Sequence, residues 1–139
     1  MTRREAASAL ACGVHADLAA CAAIHDLLEQ QFDAAVRHRS AQLADLAAHL
    51  APLLDAMEAR RQQRVSLVRA LGGPEASMAD FIERTAEPAR AQLRREWQEL
   101  EQLVVACKAA TTRNSSLLAE QFSVMQRVLH GEEDTYAPR

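Results

Sequence analysis

The side chains with most chemical potential stand close together near the N-terminus: Cys12, His15, Cys21 and His25. Thiolate and imidazole are the ligands zinc prefers, so the first question is whether a metal could gather them. A helix turns by ~100° per residue, which puts Cys21 and His25 on one side and Cys12 and His15 nearly opposite. One helix therefore presents at most two ligands. We read the group as a buried thiol pair and a half-buried imidazole on an Ala-rich face, with no metal site. His25 and His49 could serve as phosphate acceptors in a helical phosphotransfer bundle, but the Lys and Gly that usually follow such a histidine are missing; the only lysine is Lys108. There is no Gly-rich phosphate loop, no GxSxG turn and no HExxH helix. The expectation is a non-enzyme without cofactor that binds polypeptide.

The elements that carry these residues follow from composition. The chain has 139 residues, the size of one domain, and is 49% hydrophobic with only 4% aromatic residues. Much of the apolar content is alanine, spread along faces as in elongated helices. Strand-favouring residues are scarce, so the expected fold class is all-α, with residues 1–139 as a single unit. A net charge of -3 with interleaved Arg and Asp/Glu leaves no basic stripe for phosphates, which argues against nucleic acid. Three cysteines, an odd number, fit a reducing cytoplasm better than a disulfide framework. The stretch Leu18-Ala19-Ala20-Cys21 behind Arg3 and Arg4 resembles a lipoprotein cleavage box, but Glu5, His15 and Asp17 interrupt the apolar run that an export signal needs. We expect no membrane insertion.

Periodicity places the helices. Leu10, Val14, Leu18, Cys21, Leu28, Phe32 and Ala35 predict a helix over about 8–37. A second seam runs through Leu43, Leu46, Leu50, Leu53, Met57, Arg60, Arg64, Leu67 and Leu71 in steps of three and four. Arg60 and Arg64 keep its phase, their stems covering apolar surface while the guanidinium heads reach water or a carboxylate. Pro52 lies inside the seam, where a kink is expected. Between the two helices, Arg37–Ser40 holds neither Gly nor Pro, only a plausible Ser40 cap. A hairpin and one continuous helix, the latter favouring a homodimer, both remain open at this point. Gly72-Gly73-Pro74 marks a stop, and Ser77 with Asp80 predicts a capping box opening a short helix with Met78, Phe81 and Ile82 as its apolar face. Pro88 suits the start of a last helix reaching Gly131, with Leu93, Trp97, Leu100, Val104, Cys107, Leu118, Met125 and Val128 in phase.

That last helix has a face that changes character. It is apolar from Leu93 to Cys107, polar at Thr111 and Asn114, and apolar again on a broader front at Leu117, Leu118, Phe122, Met125, Val128 and Leu129. Core packing and partner recognition use the same spacing, so both uses stay open. Residues 132–139 form an acidic segment, expected to be a flexible tail, with Tyr136 as its single apolar anchor.

Trp97-Gln98, Arg113-Asn114-Ser115-Ser116-Leu117-Leu118, Val128-Leu129-His130-Gly131 and Asp134-Thr135-Tyr136 occur in the order found in the FlgN family of flagellar type III export chaperones, which this chain resembles. Glu58-Ala59-Arg60-Arg61 and Leu71-Gly72 resemble that family's second helix. Family members commonly carry Asn-Gly where Asn114-Ser115 stands, and Gly where Ala137 follows the tyrosine. The resemblance implies a cytoplasmic chaperone that holds the hook-filament junction proteins FlgK and FlgL unassembled. It implies cargo contacts at Leu117, Leu118, Phe122, Met125, Val128 and Leu129, and docking of Tyr136 on the cytoplasmic domain of the export gate protein FlhA. The rival readings are a self-associating structural coiled coil and a Cys/His metal-binding protein.

Overall fold

A computed structural model describes the backbone of residues 1–136 and the side chains of residues 1–131. It is all-α: α1 (Arg3–Val36), α2 (Ser40–Gly72), α3 (Met78–Glu83) and α4 (Ala89–Tyr136), with no strand among the described residues. α1 starts earlier than its apolar periodicity suggests, because Thr2 and Glu5 close a reciprocal capping box: the Thr2 hydroxyl accepts from Glu5 N–H, and Glu5 accepts from Thr2 N–H.

The segment after α1 is a turn. His38 N–H donates to Ala35 O at 3.2 Å and Arg39 N–H to Ala34 O at 2.9 Å, the two bonds of a Schellman motif, with His38 taking the left-handed conformation (φ 54°) that glycine usually fills. Histidine is among the residues that tolerate this region, so no glycine marks the turn in the sequence. Ser40 is the first residue of α2, with Arg39 at the cap position and no side-chain cap bond. Pro52 is exposed, and α2 runs through it without interruption; the carbonyl left without its usual donor belongs to Ala48, itself an exposed residue. α2 stops where glycine is required: Gly73 adopts φ 98°, and a Cβ on Gly72 would lie 2.8 Å from that of Ala76. α3 opens with the anticipated Ser77–Asp80 capping box, and Met78 and Ile82 are buried across the end of the bundle.

α1 is the central helix. It packs antiparallel to α2, with Leu10 and Val68 in one apolar cluster and Leu28 and Leu50 in the next. It packs parallel to α4, and the register is explicit: Cys21 meets Cys107, Leu28 O accepts from Asn114, and Ala35 O accepts from Gln121, each pair 86 apart in sequence and each step seven residues. A seven-residue repeat of contacts is the geometry of supercoiled helices. α1 therefore buries two flanks, with Leu10, Val14, Asp17, Cys21, Ile24 and Leu28 all enclosed. By composition α1 is long and apolar enough to cross a membrane, but its apolar flanks are occupied by α2 and α4.

α4 outlasts its partners. Its 48 residues extend about 72 Å at ~1.5 Å per residue, whereas α1 ends at Val36, opposite Gln121. The helix also passes through Gly131, where the sequence had indicated its end. The expected flexible tail and the Tyr136 anchor concern side chains outside the described residues.

Candidate functional site: the free arm of the last helix

Two polar layers hold α4 on α1 before the arm begins. Asn114 is buried; its Nδ2 donates to Leu28 O and to Gln31 Oε1, both at 2.8 Å, while its Oδ1 accepts from the Arg113 guanidinium. Arg113 in turn lies 4.1 Å over the Phe32 ring and pairs with Glu29 at 3.1 Å. One heptad on, Gln121 Nε2 donates to Ala35 O at 2.9 Å, satisfying a carbonyl in the last turn of α1. These are sequence-distant contacts, so the composition of α4 alone indicated a polar break at Asn114 without showing that it clamps α1.

From Phe122 to Leu129 the apolar side chains of the helix are bare. Phe122, Met125, Val128 and Leu129 are 57%, 50%, 59% and 55% exposed, and Leu118 is 37% exposed. Leu117, the first of the six residues anticipated here, is half-buried against the bundle. Val124 was missed by the sequence reading and is 46% exposed. On a helix turning ~100° per residue these side chains fall within an arc of about 160°, centred on the line through Cys107, Ala110, Asn114 and Gln121 that faces α1. The arm thus prolongs the same face that is occupied by α1 further down. An apolar stripe of this size, rimmed here by Glu120 and Arg127, is unusual on a monomer and is the candidate interaction surface.

The N-terminal Cys/His group does not converge. Cys12 is exposed, His15 lies 3.6 Å from Glu96, and His25 lies 3.8 Å from Glu29. Cys21 is buried with its sulfur 3.6 Å from that of Cys107. Burial, reinforced by the Cys107 hydrogen bond, pushes the Cys21 thiol up to about 12, and burial raises that of Cys107 too. Neither is activated as a thiolate nucleophile. No group of three or more His, Cys, Asp or Glu side chains among the described residues could hold a metal ion.

What the sequence reading treated as an interruption, Asp17, is 1% exposed and accepts from the guanidinium groups of both Arg60 and Arg64. Arg64 also stacks 5.3 Å over Trp97, so one carboxylate ties all three long helices together. The two arginines of the α2 seam reach a carboxylate, as expected; its identity required the antiparallel pairing of α1 with α2.

A helical base, with α2 and α4 packed on two flanks of α1, and a projecting apolar arm define an all-helical protein with one candidate binding face. A family model described as FlgN protein matches residues 1–131, and the chain belongs to that family. FlgN proteins are flagellar export chaperones. A search of curated proteins and a search of solved structures each give no match.

Proposed function

We propose that this protein acts in the cytoplasm as a chaperone for the hook-filament junction proteins FlgK and FlgL, covering their C-terminal amphipathic helices with the free arm of α4 and carrying them to the export gate. The observation that supports this reading is the exposure of Phe122, Met125, Val128 and Leu129 on a helix that no other part of the described chain covers. Junction-protein segments that assemble through apolar helical faces would find an equivalent face here, which blocks premature assembly without ATP or metal. Ordering of the cargo segment costs conformational entropy, which keeps affinity in a range that permits release. Tyr136 is the proposed contact with the cytoplasmic domain of FlhA, as an aromatic anchor set among carboxylates.

The test is a double variant, Leu118→Ser with Phe122→Ser. Because Phe122 is exposed and Leu118 partly so, the variant should stay helical and lose capture of FlgK and FlgL; undiminished capture would end the assignment. Deletion of residues 132–139 should spare cargo capture and reduce FlhA binding, and unchanged gate binding and secretion would remove Tyr136 from the mechanism. The same bare face suits self-association, and sedimentation of the free protein distinguishes that reading: a dimer abolished by the double variant, with no effect on cargo, favours the structural coiled coil.

A further inference from the structure

The end of α1 lies beside the start of the bare arm, and this juxtaposition bears on how a partner helix must lie. Along the bundle the inward face of α4 is filled by α1, in contacts repeating every seven residues through Cys107, Asn114 and Gln121. Past Gln121 the same face continues through Met125 and Val128, and the seat is vacated because α1 turns back at Val36. A helix occupying that seat is collinear with α1, and one of its ends abuts the Arg37–Arg39 turn.

The groups at that turn decide which end. The C-terminus of α1 and the N-terminus of α2 meet there with opposite partial charges, which offset each other. Arg37 is engaged by Asp33 at 3.1 Å. Arg39 is exposed and has no carboxylate within ion-pair distance among the described residues, and His38 beside it is exposed too. Val36, 50% exposed, supplies an apolar step between turn and arm. The net field at the abutting end is therefore cationic, and it favours the negative end of a helix.

We propose that the partner helix binds antiparallel to α4, with its C-terminal end and free carboxylate against Arg39, in the position an extended α1 would hold. The arm from Phe122 to Gly131, about 10 residues or roughly 15 Å, accommodates about three turns of such a helix. This inference rests on the proposed cargo role, since it specifies the orientation of the helix captured by the arm.

The experiment uses the full-length protein and a synthetic peptide of about 18 residues from the C-terminus of FlgK, made with a free carboxylate or as the amide. A photoreactive benzophenone is placed near one end or the other. The C-terminal probe should cross-link to residues 36–39, and the N-terminal probe to the far part of the arm near Val128. The amide should bind about three- to fivefold more weakly than the free acid, the size of an exposed ion pair. Arg39→Gln should weaken the free acid to the same degree and leave the amide unchanged. Cross-linking of the N-terminal probe to the turn, or equal binding of acid and amide with wild-type protein, overturns the orientation while leaving cargo capture in place. Failure of every peptide to bind overturns the cargo role and this inference with it.

Discussion

Asp17 illustrates how a single side chain can explain much of the fold. A carboxylate in an Ala/Leu-rich stretch looks like a surface residue, yet in the structure it is nearly inaccessible and neutralised by Arg60 and Arg64. Removing it as Asp17→Ala strands two guanidiniums beside an apolar core, and chemical denaturation should show a loss of about 3 kcal/mol. Replacing all three together, Asp17→Leu, Arg60→Met and Arg64→Leu, should recover most of that, because the desolvation of the charges is removed along with their attraction. The cysteines give a second residue-scale prediction. Cys12 should react with a thiol reagent in the native protein at pH 8, whereas Cys21 should react only after unfolding. The Cys21 thiol titrates higher folded than unfolded, so the folded state holds its proton more tightly. Its contribution to stability is full below the unfolded value, near 9, and is lost as pH rises toward about 12, an alkaline limb that Cys21→Ala should flatten.

At the scale of elements, helices were legible where apolar spacing was regular and their ends carried familiar chemistry. The α2 seam, the glycine stop at Gly72-Gly73 and the Ser77 capping box follow directly from residue types. The α1–α2 turn was not legible, since the left-handed position falls to His38, and the start of α1 was set by a cap lying ahead of any apolar repeat. Pairing of α1 with α4 could not be read either, because a parallel register between segments 86 residues apart leaves no local trace. Asn114 is the residue that makes this pairing specific. Asn114→Ala would leave Leu28 O and Gln31 without their donor and should cost roughly 1–3 kcal/mol, with hydrogen exchange quickening first in the last turns of α1.

For the molecule as a whole, enclosed core and exposed apolar surface are separated along its length. The base holds the apolar clusters around Leu10, Val14 and Leu100 and around Ile24, Leu28 and Leu50; the arm holds exposed apolar surface. Truncation after Ser123 should therefore change the midpoint of thermal unfolding by only a few degrees while abolishing cargo capture. Leu10→Ala should do the opposite, costing about 2–5 kcal/mol and leaving capture by the folded fraction intact. The candidate face was legible as an apolar stripe from its spacing. Whether it would be enclosed depended on where α1 turns back, a fact that belongs to another part of the chain.

The unequal lengths of α1 and α4 make the hairpin a ruler. Each heptad inserted in phase on both sides of the Arg37–Arg39 turn would slide it about 10 Å along the arm and cover one more layer of the stripe. Two such insertions would bring the chain's own helices close to Tyr136 and turn a carrier into a self-occupied bundle. Shortening by a heptad would instead bare Gln121 and lengthen the exposed stripe. The length of exposed stripe is thus written in the position of one turn, and it can be changed without altering any residue of the stripe itself.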